Sequence, residues 1–264
     1  MSTPKTTDSQ SLLELRPLDG EMLKAAELIE VEQVAGRPLS LYARRVYNIL
    51  LHNAHGPDMA EPGREFSIPT ASLKFSHKSI ERLDAAVLSL MQTVISIQHS
   101  DGSRERANLI GWTSLDDQSR ERGVLRYSFH PKLARMLQDS RIFARLRLDV
   151  VHAVSSKYAL ALYELIAKRA RLSYVHSEVF EVDRLRDLLG VEEGKLSTYS
   201  NFLKAALQPA VDEVNRFAEF GVAFEPVNRG RKVVAVRIAW AMKDVEGQKR
   251  AYAALRGEAE VIGD

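Results

Sequence analysis

The chain of 264 residues contains no cysteine. Disulfides and thiolate chemistry are therefore excluded, which fits a reducing compartment without requiring one. Long apolar runs are missing as well. None approaches the roughly eighteen residues that a membrane-spanning helix needs, so no membrane partner is expected. Met1 to Gln10 are polar with a single lysine and lack the apolar stretch of a secretion signal, so a cytoplasmic location is expected. Charge of one sign is scarce, with a formal net charge of +2. Any affinity for nucleic acid must then lie in how charge is distributed along the chain.

Motifs for catalysis are absent too. Gly190-Val-Glu-Glu-Gly194-Lys195-Leu196 resembles a phosphate loop but is one residue short and lacks the hydroxyl residue that would ligate magnesium. His52 and His55 stand three apart near a helix end, but with no third ligand in view they read as surface histidines. No His-x-His pair of the kind used by rolling-circle nickases occurs. The expectation is a protein without catalytic residues, metal or cofactor, and not an enzyme.

What the chain does have is a repeat. Tyr42-Ala43, Val46-Tyr47 and Ile49-Leu50 return as Tyr158-Ala159, Leu162-Tyr163 and Leu165-Ile166 at a constant offset of 116. Phe66-Ser-Ile returns as Phe180-Glu-Val, and Leu-Ile-Gly-Trp112 returns as Arg-Ile-Ala-Trp240, so both tryptophans are expected to close equivalent segments. At helical spacing among aliphatic residues, the tyrosines Tyr42, Tyr47, Tyr158 and Tyr163 read as core rather than as base-stacking platforms.

Each copy reads as helix, short strand, short helix, longer helix and hairpin. This is an α+β plan of two tandem winged helices related by internal duplication. A leader over 1–19 is expected to be flexible, and a helix is expected to begin near Glu21, with Met22, Ala25, Ala26, Leu28 and Ile29 as a partial apolar stripe, and to be closed by Gly36 and Pro38. Ser40 is an N-cap for a helix that ends before Gly56-Pro57, and the segment 55–64 reads as a loop. A strand at Phe66 and Ile68, a short helix at Thr70–Lys74 and a longer one at Ser76–Gln92 follow. A strand from Val94 turns at Asp101-Gly102 and returns over Ala107–Trp112, and a further strand runs over Val124–Phe129.

The domain boundary is placed at His130-Pro131, where a proline suits the first helical position. That gives modules at 20–129 and 130–243 and a charged tail at 244–264. In the second module, Ser155 or Ser156 opens a helix through Arg171. A strand covers Val179–Val182, a short helix over Asp183–Leu189 is stopped by Gly190, and a long helix over Ser197–Phe217 is bent at Pro209. Val222 and Phe224, then Val234 to Trp240, form the wing.

The segment 141–171 holds seven basic residues (Arg141, Arg145, Arg147, Lys157, Lys168, Arg169, Arg171) against Asp149 and Glu164. It reads equally as a DNA-facing stripe or as a solvated helix face. The wing tip is sharper: Asn228-Arg229-Gly230-Arg231-Lys232 puts three cations on one turn.

Four motifs of the second half occur in order: Ser156-Lys-Tyr-Ala-Leu-Ala-Leu-Tyr-Glu-Leu165, Phe180 to Val191, Tyr199 to Asn215, and Gly230-Arg-Lys-Val-Val234. In these the chain resembles the iteron-binding plasmid replication initiators, the Rep family with tandem winged helices. The resemblance covers about residues 20 to 240, and in the first half it lies in plan more than in residues.

It implies binding of double-stranded DNA at direct repeats of an origin, opening of an adjacent AT-rich tract, and recruitment of the host replicative helicase and host initiator. It also implies a homodimer in equilibrium with monomer, dimerisation through the first module, and repression of the protein's own gene at an operator inverted repeat. The strand Val94-Ile95-Ser96-Ile97 reads either as an edge for that dimer or as an internal strand of the wing.

A recognition helix presents its N-terminal side chains to base edges while wing residues hold phosphates. The expected DNA contacts are Ser197, Thr198, Ser200, Asn201 and Lys204 with Arg229, Arg231 and Lys232 in the second module. In the first they are His77, Lys78, Glu81 and Arg82 with Arg104 and Arg106. A winged-helix transcriptional regulator without an initiating role, and a winged-helix pair used for protein assembly, share the same features.

Overall fold

Met22 and Leu23 are neighbours in sequence and both are buried. An extended backbone sends such neighbours to opposite faces, so a strand buried on both sides accommodates the pair. The chain is described by a computed structural model covering residues 11–30, 32–74, 80–98, 104–116, 123–172 and 174–257. In it β1 (Glu21–Ala25) and β2 (Glu32–Ala35) replace the expected helix, of which only a single turn at Ala26–Leu28 remains. The expected flexible leader is also corrected for its last residues. A turn at Leu12–Glu14 buries Leu12 and Leu13 to 2% and 3% exposure, and Leu12 N–H donates to Ser140 O at 3.2 Å.

The first module continues with α1 (Leu41–Ala54), whose N-cap Ser40 accepts from Ala43 N–H as expected. The segment read as a loop holds a single turn at Pro57–Ala60. Next come β3 (Phe66–Pro69), a turn at Thr70–Leu73, α2 (Ile80–Gln92), β4 (Val94–Gln98), β5 (Arg104–Asn108), β6 (Trp112–Asp116) and β7 (Val124–Ser128). The turn expected at Asp101-Gly102 lies outside the described residues.

These strands form two sheets, ordered β2-β4-β5 and β3-β7-β6. Two readings are settled here. The return strand expected over Ala107–Trp112 is broken at Leu109–Gly111, and Trp112 opens a strand of the other sheet. The strand Val94–Ile97 is no free edge, because β4 is the centre of its sheet, paired with β2 on one side and β5 on the other.

After α3 (Pro131–Asp139), β8 (Phe143–Arg147) pairs antiparallel with β1, from Glu21↔Arg147 to Ala25↔Phe143. The segment just past residue 130 thus packs back onto the N-terminal elements. Then come α4 (Leu148–Ala153), α5 (Lys157–Ala167), β9 (Ser177–Glu181) and α6 (Val182–Leu189). Ser156 caps α5. Gly190 ends α6 at φ 74°, a left-handed backbone that favours glycine.

α7 (Tyr199–Phe202) passes through a π turn at Leu203–Leu207 into α8 (Gln208–Phe217). The wider turn absorbs the missing N–H of Pro209 and the crowding of its ring against the preceding turn, which is the form the expected bend takes. β10 (Phe220–Arg229) and β11 (Lys232–Met242) make the wing, and the sheet order is β10-β11-β9. α9 (Val245–Leu255) follows, capped by Asp244 and packed on α8.

The repeat is now visible in space. In each module the last wing strand, β7 or β11, is the sheet centre and pairs with the short strand β3 or β9. The counterpart of β11 is therefore β7, not the segment ending at Trp112. The two tryptophans are not equivalent: Trp240 is 3% exposed inside β11, whereas Trp112 is 42% exposed at the start of an edge strand. Tyr47 and Tyr163 are core residues, the latter stacked on Phe220 at 5.7 Å.

α1 and α5 touch at equivalent positions of the repeat. Asn48 Nδ2 donates to Glu164 Oε1 at 2.7 Å, 116 residues away. Lys24 Nζ from β1 donates to Glu164 Oε1 at 2.8 Å and to Asn48 Oδ1 at 2.9 Å. All three side chains are buried. Burial pulls the Lys24 pKa down, and the adjacent Glu164 carboxylate opposes that shift. Nearby, the Arg45 guanidinium donates to the carbonyls of Val151, His152 and Val154, satisfying the last turn of α4.

The basic excess over 141–171 also finds its explanation in packing. Arg145 and Arg171 reach Glu21, Arg147 reaches Asp149, Lys157 reaches Glu192, Lys168 reaches Glu30, and Arg169 reaches Glu30 and Glu178. Six of the seven basic residues are thus paired, all but Arg147 with carboxylates outside the run. It is a structural ion-pair network rather than an open DNA-facing stripe.

Candidate nucleic-acid interface

The N-terminal end of the long helix in the second module is open to solvent. Thr198 is its N-cap, with Oγ1 accepting from Asn201 N–H at 3.2 Å. Ser197, Thr198, Ser200, Asn201 and Lys204 are all exposed, while Phe202, Ala206 and Leu207 face the core. The helix is thus divided lengthwise into an anchored stripe and a presented stripe. Ser197 was expected as the first helical residue; instead it precedes the cap, and its carbonyl accepts from Arg186 Nη2 at 2.8 Å.

The wing brings the second group of expected contacts together. Its strands stay in register to Arg229↔Lys232, with a bulge between Val227 and Asn228. Gly230, at φ 62°, is the first of the two turn residues, where a tight hairpin needs a left-handed backbone. Arg229, Arg231 and Lys232 are exposed, and no ion pair engages them among the described residues. They contrast with the paired run at 141–171. Guanidinium and ammonium groups left without protein partners are suited to displacing counterions from phosphates.

In the first module the expected site comes together only in part. Arg82 is exposed on α2. His77 and Lys78 lie outside the described residues, as does the side chain of Glu81. Arg104 and Arg106 are exposed, but on β5, in the sheet β2-β4-β5. They stand on the hairpin β4–β5 as expected, but β6–β7, not that hairpin, carries the strand that matches β11. The tip of β6–β7 falls outside the described residues.

His52 and His55 are engaged with the fold. His55 Nε2 lies 2.7 Å from Leu15 O, and burial together with His55 lowers the His52 pKa. Sequence reasoning missed Arg186, which sits in the last turn of α6 and reaches the Ser197 carbonyl just before the Thr198 cap. An arginine in a short helix carries no signal of that contact in one sequence.

Among the described residues no helix is long and apolar enough to cross a membrane. No curated protein matches the chain. The crystal structure of Pi initiator protein in complex with iteron DNA is similar, with a TM-score of 0.59 at 18% identity, covering 85% of this chain and 98% of that one. Residues 21–167 match the family described as Initiator Replication protein, WH1. Residues 181–240 match Initiator Rep protein, WH2. With both modules matched in order over most of its length, the chain belongs to the initiator replication protein family.

Proposed function

We propose that this initiator binds direct repeats of double-stranded DNA at a plasmid origin, using the second module (130–243) as the main reader and the first (20–129) as a second reader and dimerisation unit. The observation that carries the reading is the pairing of an exposed helix N-terminus, Thr198 to Lys204, with a wing tip whose three cations have no ion-pair partner among the described residues. Helix side chains would read base edges and the wing would hold the backbone. The similarity to an initiator crystallised with iteron DNA supports the choice of ligand.

Bound monomers would promote opening of an adjacent AT-rich tract and recruit the host replicative helicase and host initiator. A homodimer in equilibrium with monomer would repress the protein's own gene at an inverted repeat. Because β4 is internal, such a dimer would have to use a surface other than the strand Val94–Ile97.

Footprinting on the DNA flanking the gene tests the core of the reading. The expected result is protection of tandem direct repeats, with affinity that falls steeply as salt rises. Protection of a lone operator, with no direct repeats bound, would make the protein a transcriptional regulator. Binding insensitive to salt would remove DNA as the ligand.

A further inference from the structure

Arg186 is in the last turn of α6 and is the only side chain among the described contacts that reaches both sides of the Thr198 cap. Its Nη1 pairs with Asp183 Oδ1 at 2.5 Å, and its Nη2 donates to the Ser197 carbonyl at 2.8 Å, one residue before the cap. Its guanidinium carbon lies 5.4 Å from the centroid of the Phe202 ring, one turn after the cap. Phe202 is fully buried. The Arg186 side chain is 14% exposed, against 91% for Asp183. The turn it holds is a demanding one: Leu196 sits at φ 49°, a left-handed conformation that a β-carbon disfavours.

From this geometry we infer that Arg186 is a positioning residue for sequence reading: it fixes where Ser200, Asn201 and Lys204 are presented without touching DNA itself. This rests on the proposed function of the second module. A planar guanidinium can stack on a ring and donate in its plane at the same time, which an ammonium cannot do. With two nitrogens engaged and Nε buried, the group is not placed as a phosphate ligand. Base readout depends on side-chain placement to a fraction of an ångström, whereas phosphate contacts tolerate drift. A loosened cap should therefore cost selectivity before it costs general affinity. In the first module, the offset that links Phe66 to Phe180 puts the exposed Ser72 at the place of Arg186.

The test uses R186M, which keeps the stem over Phe202 but removes the donors, and R186K, which keeps the charge and one donor. Each full-length variant is titrated against a direct-repeat duplex and a random duplex over a range of salt, and amide exchange at Tyr199–Phe202 is followed in the DNA-free protein. R186M should bind the repeat on the order of tenfold more weakly, bind random duplex unchanged with the same salt slope, and exchange those amides faster. R186K should fall between R186M and wild type, and decides the matter if R186M does not fold. Equal loss on both duplexes with a salt slope lower by about one would make Arg186 a phosphate contact and overturn the inference. Unchanged exchange at Tyr199–Phe202 would overturn it as well. If wild-type protein shows no preference for repeats, the proposed function fails by itself, and the exchange measurement still decides whether Arg186 holds the cap.

Discussion

The second module runs its wing as one hairpin, β10 paired with β11 over ten register pairs, while the first divides the same stretch of chain between two hairpins in two sheets. Both keep the short strand against the last wing strand, β3 on β7 and β9 on β11. The difference lies in β4 and β5, inserted between recognition helix and wing and joined to β2 from the N-terminal segment. A duplicated plan can thus hold its core pairing while one copy gains a sheet of its own. In the copy with the single hairpin, the wing-tip cations Arg229, Arg231 and Lys232 have no ion-pair partner among the described residues.

If both modules read DNA in successive major grooves of one duplex face, their half-sites lie roughly one turn of about 10 base pairs apart. Inserting five base pairs between them turns one half-site by about half a revolution. Affinity should then drop to that for random duplex, a loss of about 10³-fold or more. An insertion that leaves binding intact would show that only one module reads, and the comparison would be between a reader and a scaffold.

The next effect concerns the contact between the modules. Glu164→Leu leaves Lys24 buried without its counter-ion and should cost about 3–5 kcal/mol in urea unfolding. Adding Lys24→Met should restore much of it. A single cooperative transition that moves as a whole would show one folding unit. Two transitions, with only the second-module one displaced, would show modules that merely touch.

Smaller effects separate the helix from the wing. Asn201→Ala should cost about 1–3 kcal/mol on the cognate repeat and little on random DNA. Arg231→Ala should weaken all duplexes alike and lower the salt slope by about one. Salt titration of both variants on both probes checks the assignment, and exchanged phenotypes would reverse the roles.

The smallest effect belongs to Glu219, which follows α8 and is buried, so its carboxyl is held above the usual range. A raised folded-state pKa stabilises the fold fully below the unfolded value of about 4.3, and that contribution is lost as pH rises through the folded value. Glu219→Gln, a mimic of the protonated acid, should raise the melting temperature at neutral pH and leave it unchanged near pH 4. An equal shift at both pH values would mean that packing, not charge, sets the effect.

Most of the second module was legible because its signals are local. Ser156, Gly190, Gly230 and the alternation through β11 each act within a few residues of where they stand. The first module was misread where partners are remote. Met22 to Ala25 carry the composition of a helix stripe, but their burial on both faces depends on β8, more than a hundred residues away. The basic run at 141–171 was ambiguous for the same reason, since its acids lie as far off as Glu21 and Glu30. At the site, the exposed residues of α7 and the wing were readable from cap and turn chemistry, whereas the Arg186 contacts depend on how the fold brings the end of α6 to Ser197 and Phe202.

The meeting of Asn48 with Glu164 has a consequence for molecules that share a cell with their own copies. Position 48 touches its own counterpart in the repeat, so two first-module helices from different chains, brought together in the same way, would set amide against amide and leave Lys24 with no acid. Two second-module helices would set carboxylate against carboxylate in a dry contact. Only the unlike pairing satisfies every group. Because the residues at these equivalent positions differ, the two halves of a chain can tell each other apart from the like half of a neighbour.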